Sequence, residues 1–226
     1  LPDGGGYTLT AMDLTPAAAA TAQNLYVTFA DNYGEVTDHY DGVNTSVNVR
    51  LRNGVIVQGG FSTGRVVTND CDLVAKLPEQ LHTFFGSLTR AFFFGARPLE
   101  MCEQDNGWRT SIQGFASYTI RKIDVNVSGT FQNLPGGAVS ANANTFSTGT
   151  LGRPYSNAPF RVFNLVQPGQ QYIERLNQID LRLAKVLRLR GTRTTVNFDF
   201  YNIFNSNAVT GENFTYGTTW RTPTGI

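Results

Sequence analysis

The chain has 226 residues, of which 15% are charged, 12% are aromatic and 23 are glycine, and its formal net charge is +1. This composition is too apolar and aromatic for a disordered chain, and too poor in lysine and glutamate for an ordinary helical protein. The small net charge predicts neither a nucleic-acid partner nor an acidic-lipid surface, and there is no apolar run of about 18 residues that would predict a transmembrane helix. A transmembrane β-barrel is not excluded, because its strands alternate and keep the mean hydropathy low.

The first predicted hairpin lies at residues 43–61. Residues 43–51 alternate between apolar and polar side chains, which indicates a strand with two unlike faces. A two-residue Asn-Gly turn would mix these faces across the hairpin, whereas a three-residue loop at 52–54 pairs Val49 with Val57 and keeps them separate. We therefore predict the three-residue loop, with Gly54 in the left-handed conformation that closes it.

Two further hairpins follow along the chain. Residues 112–131 contain two alternating runs, and a two-residue turn at Arg121-Lys122 would place Ile120 opposite Ile123. Residues 176–201 contain the third hairpin, with a short basic turn near Arg190-Gly191. A helix is the competing prediction for 176–190, which is rich in leucine and arginine, but the β-branched and aromatic partner run favours a strand.

The connections between the predicted strands alternate in length. Short turns lie at 52–54, 121–122 and about 186–191, and a single strand is predicted at Tyr7–Leu14. The long connections are rich in Gly, Asn or Pro and lie at about 15–42, 68–107 and 133–175. An outer-membrane barrel has short periplasmic turns and long external loops, whereas a soluble sandwich has no reason to keep its short turns at one end. The pattern therefore predicts an all-β, antiparallel, up-and-down transmembrane β-barrel segment of about seven or eight strands.

The two strand faces then have different solvents, with lipid against the apolar residues and water against the polar ones. Ten residues at about 3.3 Å each, tilted near 45°, would reach roughly 23 Å, close to the apolar band of such barrels. The candidate interface aromatics are Phe61, Trp108, Tyr118 and Phe131. The candidate lumen-facing polar residues are Asn48, Arg50, Asp180, Arg182, Asn197 and Asp199, which could line a substrate path, contact a plug or form a structural polar network.

The sequence predicts no catalytic or metal centre and no cofactor. His39 and His82 both fall in predicted loops and lack the carboxylate–histidine spacing of a triad or metal site. Cys71 and Cys102 lie in one long connection without CxxC spacing, so they form either a disulfide in an oxidising compartment or two free thiols.

Three segments resemble one known family. DHYDGVNTSVNVRLRNGVIVQGGFSTGR, WRTSIQGFASYTIRKIDVNVSGTFQNLPG and NQIDLRLAKVLRLRGTRTTVNFDFYNIFNSNAV are similar to the C-terminal barrel of TonB-dependent outer-membrane transporters, of the large type with an N-terminal carboxypeptidase-regulatory-like domain. The stretch YNIFN at 201–205 matches the late-barrel pattern of that family, and the pair Cys71–Cys102 also fits it. The resemblance implies a 22-stranded barrel around a plug, energised by a TonB-type coupling protein that contacts an N-terminal segment.

On this resemblance we expect residues 1–226 to be a partial outer-membrane β-barrel domain from the C-terminal portion of a larger protein. The plug, the N-terminal domains and the last strand are not in the chain, which ends at RTPTGI. The expected location is the bacterial outer membrane, and the expected cargo is a scarce nutrient such as a siderophore, vitamin, glycan or peptide. The alternatives are a barrel that displays loops for adhesion or assembly, a complete eight-stranded barrel, and a soluble sandwich.

Overall fold

The computed structural model describes residues 1, 4–10, 13–22, 27–77, 99–146, 152–153, 155 and 160–225. Two short α-helices lie at Pro16–Ala19 (α1) and Cys71–Lys76 (α2), and 3-10 turns lie at Ala30–Asn32 and Leu99–Met101. The strands are β1 (Thr37–Arg50), β2 (Val55–Asn69), β3 (Glu103–Asp105), β4 (Arg109–Ile120), β5 (Val125–Leu134), β6 (Asn142–Phe146), β7 (Phe160–Asn164), β8 (Leu176–Leu189), β9 (Thr192–Phe200), β10 (Gly211–Glu212) and β11 (Pro223–Gly225). No helix in the described part of the chain is long and apolar enough to cross a membrane.

The predicted all-β, antiparallel class is confirmed. The main sheet has seven strands, in the order β1-β2-β4-β5-β8-β9 with β3 paired to the end of β2, and neighbouring strands are antiparallel. Because the long strands alternate in direction, the three short turns lie at one end of the sheet, here called the turn end. The long connections lie at the opposite end, the loop end. Among the described residues β1 and β9 each pair on one side only, so the sheet is open and no closed barrel is formed.

The first and third hairpins have the predicted form. Val49 pairs with Val57, and Gly54 has a φ of 91° in the loop at 52–54. In the third hairpin Leu189 pairs with Thr192 across a two-residue turn whose residues, Arg190 and Gly191, have φ values of 40° and 85°. Positive φ at both central positions is the type I′ geometry that matches strand twist. The helix alternative for 176–190 is therefore wrong.

The register predicted for the second hairpin is wrong by two residues. Ile120 pairs with Val125 rather than Ile123, so the turn has four residues, 121–124. A two-residue turn at 121–122 would have no glycine to adopt positive φ, unlike the Arg190-Gly191 turn, and the longer turn instead places its left-handed residue at Asp124, with a φ of 48°. Since a shift of two residues preserves side-chain direction, the predicted faces of both strands remain correct.

Other predictions failed at the loop end. The described residues between Tyr7 and Leu14 form no strand, and His39 lies in β1 instead of a loop, because β1 begins at Thr37. The strand extends beyond the alternating stretch since Thr37–Asp41 pair with residues 65–69 of β2, a contact that periodicity does not reveal. His82 lies outside the described residues.

The buried apolar core lies beyond the loop end of the main sheet. Its members are Val74, Met101, Val139, Ala141, Phe163, Val166 and Ile173, all of them in the two long connections. Asn164, 1% exposed, accepts hydrogen bonds from the Ala141 and Val166 amides at its Oδ1. The small β6–β7 and β10–β11 sheets belong to this region, and Trp220 donates its indole N–H to Ser140 O at 2.9 Å. We call this packed region the loop layer.

Candidate functional site

One face of the main sheet is apolar across all six long strands. The pairing brings together side chains of one parity from each strand: Val43, Val47, Val49, Leu51, Val57, Phe61, Ile112, Tyr118, Phe131, Leu181, Leu183, Leu187, Leu189, Val196, Phe198 and Phe200. Each of these is at least 37% exposed. The soluble-sandwich alternative expected the Val47, Val49 and Leu51 side to pack beneath a second sheet, and no described element covers it. We refer to this surface as the apolar face.

A polar border ends the apolar face at the loop end. On β1 and β2 it consists of Arg65, whose guanidinium lies 3.6 Å from Asp41 and 3.4 Å from Asp105. On β5 and β8 the border continues with the side-chain amides of Asn133 and Asn177, which hydrogen-bond each other. The apolar surface is therefore a band of limited height rather than a whole face.

The four candidate interface aromatics all lie on or beside this band. Trp108 precedes β4 and is 58% exposed, with the Arg65 guanidinium 5.9 Å from its ring centre. Phe61 and Phe131 are the last large apolar residues before the border on their strands, and Tyr118 pairs with Val55 beside the first turn. The structure thus places three of the rings toward the loop end and one toward the turn end, and their position at a membrane interface stays a prediction.

The opposite face carries the predicted polar residues, and we call it the polar face. Arg182 and Asp199 are directly paired on β8 and β9, and the guanidinium donates two hydrogen bonds, Nε to Oδ1 at 2.5 Å and Nη2 to Oδ2 at 2.9 Å. The bidentate geometry fixes both planar groups. Because the arginine side chain is 51% exposed, the pair adds little to stability and mainly sets the local charge pattern.

Asp180 on β8 is the centre of a second polar network, which joins β8 to β5 and to the segment after β9. Its carboxylate accepts hydrogen bonds from Asn202 N at 2.7 Å, from Gln178 Nε2 at 2.9 Å and from the Thr130 hydroxyl at 3.4 Å. Asn202 has a φ of 50° and its side chain also hydrogen-bonds the Ser206 backbone twice. Sequence reasoning named Asp180 but missed Asn202, although asparagine in YNIFN directly after a strand is a typical turn signal.

The remaining polar candidates are more scattered. Asn197 lies on β9 beside the Arg182–Asp199 pair, opposite Ala184. Asn48 and Arg50 lie on β1, at the other edge of the sheet, opposite Gln58 and Ile56. All six candidates share the polar face, but the structure does not gather them into one cluster. The face is an extended polar surface rather than a compact site.

A shallow cavity of about 220 Å³ opens on the loop-end part of the polar face. Tyr40 forms one side, and its ring lies across the directly paired Gly42 and Gly64, since a Cβ at Gly64 would lie 2.6 Å from the tyrosine hydroxyl oxygen. Arg109 forms another side and stacks 4.1 Å from the centre of the Tyr172 ring. Sequence reasoning missed this cavity because its walls come from three separate segments.

The loop layer is held together by covalent and polar links between distant segments. The expected disulfide is confirmed: Cys71 in α2 is bonded to Cys102, with 4.9 Å between the two Cα atoms. The Thr10 amide and hydroxyl donate to the Glu100 carboxylate at 3.1 and 2.6 Å. Burial alone would raise the pKa of Glu100, but these hydrogen bonds outweigh it and hold that pKa below its ordinary value of 4.5.

Within the described residues there is no group of three or more His, Cys, Asp and Glu side chains arranged to hold a metal ion. Comparisons with models of protein families, with curated proteins and with solved structures found no match for this chain. The functional proposal below is therefore based on the geometry of the sheet, together with the resemblance of its strand segments.

Proposed function

We propose that the main sheet is part of an outer-membrane β-barrel, with the apolar face against lipid hydrocarbon and the polar face toward an aqueous lumen. The observation that carries this proposal is that the apolar face is exposed on six strands while the buried core lies in the loop layer. Soluble monomers rarely expose apolar patches larger than a few hundred Å². Hydrocarbon contact accounts for both the exposure and the polar border.

The stagger of the strands supports a barrel. Cross-strand pairing places Val55, at the start of β2, at the same level of the sheet as Tyr118, Val127 and finally Leu183 on β8. Leu183 lies six residues before the end of β8 at Leu189, where the third turn begins. The first and third turns are thus offset by about 20 Å along the strands, across four interstrand spacings of about 19 Å in total. If the turns share one level, the strands tilt by about 45°, close to the tilt that barrels require.

The height of the apolar face also fits a membrane. On β1 it runs from Val43 to Leu51, nine residues, or about 30 Å of extended chain. At a tilt of 45° this spans about 21 Å, close to the ~25 Å apolar band of outer-membrane barrels. The face is therefore tall enough to cross most of the hydrocarbon.

Within this class, the function we propose is that of a TonB-dependent receptor that takes up a scarce nutrient through a plugged barrel. The open edges at β1 and β9 leave room for further strands from the rest of the protein, consistent with a barrel larger than this chain. The extended polar face, with Arg50 exposed and Arg182 and Asp199 paired, suits a wide lumen that holds a plug. Cargo recognition is assigned to the loop layer and the adjoining cavity.

Site-directed spin labelling of the protein that contains this chain, reconstituted in vesicles, tests the membrane assignment. Val127 and Ser128 are neighbours on the interior strand β5 and point to opposite faces. A nitroxide on Val127→Cys should collide mainly with oxygen, which concentrates in hydrocarbon, and one on Ser128→Cys mainly with a water-soluble nickel chelate. Equal access of the chelate to both positions would contradict the lipid assignment.

The alternative within the same class is a barrel that displays its loops for adhesion or assembly without transport. The packed loop layer, with its own buried core and disulfide, favours this possibility. The coding sequence upstream of Leu1 distinguishes the two functions. A plug domain preceded by a segment that cross-links to a TonB-type coupling protein supports transport, and a barrel without them supports display.

A further inference from the structure

Charge is unevenly distributed between the turn end of the sheet and the rest of the chain. The turn end, taken as residues 50–56, 119–126 and 185–194, holds eight of the 18 lysines and arginines but only one of the 17 acidic residues. The rest of the chain therefore holds ten basic and 16 acidic residues. The net charge of +1 is therefore the sum of a charge of +7 at the turn end and a charge of −6 in the rest of the chain.

Five of these cations lie where lipid headgroups would be if the proposed function is correct. Arg52, Arg121, Lys122 and Arg190 are exposed in the three turns. Lys185 starts on the apolar face, paired with Val125 and Val196, and donates its ammonium to the carbonyl of Ile123 in the second turn. A long cationic side chain that reaches from apolar surface to a polar boundary is the snorkelling behaviour of interfacial residues. We call these five residues the basic turn surface.

Each turn also places an exposed aliphatic side chain beside a cation. Leu51 precedes Arg52 and is 52% exposed, Ile123 follows Lys122 and is 51% exposed, and Leu189 precedes Arg190 and is 61% exposed. All three aliphatic side chains continue the apolar face up to the level of the cations. A lipid surface provides both hydrocarbon and an anionic layer directly above it.

The protein itself does not neutralise this surface. In the described part of the chain Asp124 is the acidic residue of the turn end, and it is paired at 3.0 Å with Arg188, on the polar face. Arg121 donates to the backbone carbonyl of Arg52, which satisfies a hydrogen bond but leaves both positive charges. The basic turn surface therefore has no ion-pair partner among the described residues, in contrast with Arg65, Arg153 and Arg221 nearer the loop end.

We propose that the basic turn surface binds the phosphodiester headgroups of anionic phospholipids in the leaflet reached by the short turns. This inference rests on the proposed membrane location and adds a lipid preference to it. Guanidinium and ammonium groups donate to phosphate oxygens, while Leu51, Ile123 and Leu189 remain in the hydrocarbon edge below. The binding orients the barrel relative to the two leaflets and anchors the turn end electrostatically.

The test uses the protein that contains this chain, reconstituted in phosphatidylcholine vesicles with a trace of spin-labelled lipid. The relative association constant of spin-labelled phosphatidylglycerol is measured against spin-labelled phosphatidylcholine from the motionally restricted component. A Lys or Arg at an anionic surface favours binding by about fivefold, and we expect a preference of about that size. The variant R52Q/K122Q/R190Q should lower it toward 1, whereas the charge-conserving R52K/K122R/R190K should keep it.

The outcomes separate this inference from the proposed function. A restricted lipid component without anionic preference, or an unchanged preference in the glutamine variant, would overturn the lipid inference and leave the membrane location intact. The absence of any restricted component would overturn both. Loss of the preference in 1 M salt is expected for headgroup binding. Loss on adding millimolar glycerol phosphate would instead indicate a site for free phosphate and would reject the lipid surface.

Discussion

The substitution Leu183→Arg distinguishes hydrocarbon from water most directly. Leu183 lies near the middle of the apolar residues of β8, pairs with Val127 and Phe198, and is 40% exposed. At the midplane of a barrel an outward arginine costs about 2–4 kcal/mol. The ammonium of Lys185 reaches the carbonyl of Ile123 in the second turn. The guanidinium of an arginine at position 183 would have to extend two residues further to reach the same boundary. We therefore expect about 2–3 kcal/mol, or a folding equilibrium constant lower by about 30- to 150-fold.

The measurement is urea-induced unfolding of the protein that contains this chain in lipid vesicles, followed by tryptophan fluorescence. Asn197→Arg is the matched control, because Asn197 precedes Phe198 on the neighbouring strand and points to the polar face. Leu189→Arg is the depth control, since near the interface the cost falls to about 0–1 kcal/mol. An exposed residue in water tolerates substitution within about 0.5 kcal/mol. A change that small for Leu183→Arg would refute a lipid-facing surface.

Three further predictions concern the loop end. Gly64→Ala should destabilise by about 1–2 kcal/mol in urea unfolding because its Cβ would meet Tyr40, whereas Gly60→Ala, with its nearest atom at 3.6 Å, should be near neutral. Cys102→Ser should remove about 3.5–4 kcal/mol from the loop layer by opening a loop of sequence separation 31, seen as faster proteolysis. The lowered pKa of Glu100 contributes stability that is present above pH 4.5 and is lost as the pH falls through the folded value. The protection factors for hydrogen exchange in the N-terminal stretch, corrected for the intrinsic pH dependence of exchange, should therefore fall in acid, and Glu100→Gln should remove that acid-dependent loss of protection.

Each of these predictions has a contradicting result. Equal stability of the two glycine variants would show that the tyrosine ring moves away at no cost. Unchanged proteolysis after loss of the disulfide would show that noncovalent packing alone holds the loop layer. An equal acid-dependent loss of protection in Glu100→Gln would place the acid sensitivity in another group.

Local alternation of side chains was enough to predict the six long strands of the main sheet and their faces, although not the start of β1 or the short strands. Val43–Leu51 and the runs around Tyr118, Val127 and Leu183 each show a period of two, which depends only on backbone geometry within one strand. Even the error at 121–124 preserved the faces, because it shifted the pairing by two residues. The disulfide was one of two open possibilities from the cysteine pattern, and the resemblance also fitted it.

The positive charge of the turn end cannot be predicted from composition, but it can be predicted from the sequence together with the order of the strands. The net charge predicted no anionic surface, since it sums residues that are far apart in the molecule. Arg52, Lys122 and Arg190 all lie in predicted short turns. Once the antiparallel order places those turns at one end, their charges add in space.

What only the tertiary structure decided depends on contacts between residues distant in the chain. The extension of β1 to Thr37, the core of Val139, Phe163 and Val166, and the Tyr40 cavity all join segments whose sequences carry no sign of one another. A strand face is set by the alternation of its own neighbours, and the sequence by itself determined it. The loop layer and the pairing between hairpins are set by long-range packing and hydrogen bonds, so they emerge only when the chain is folded.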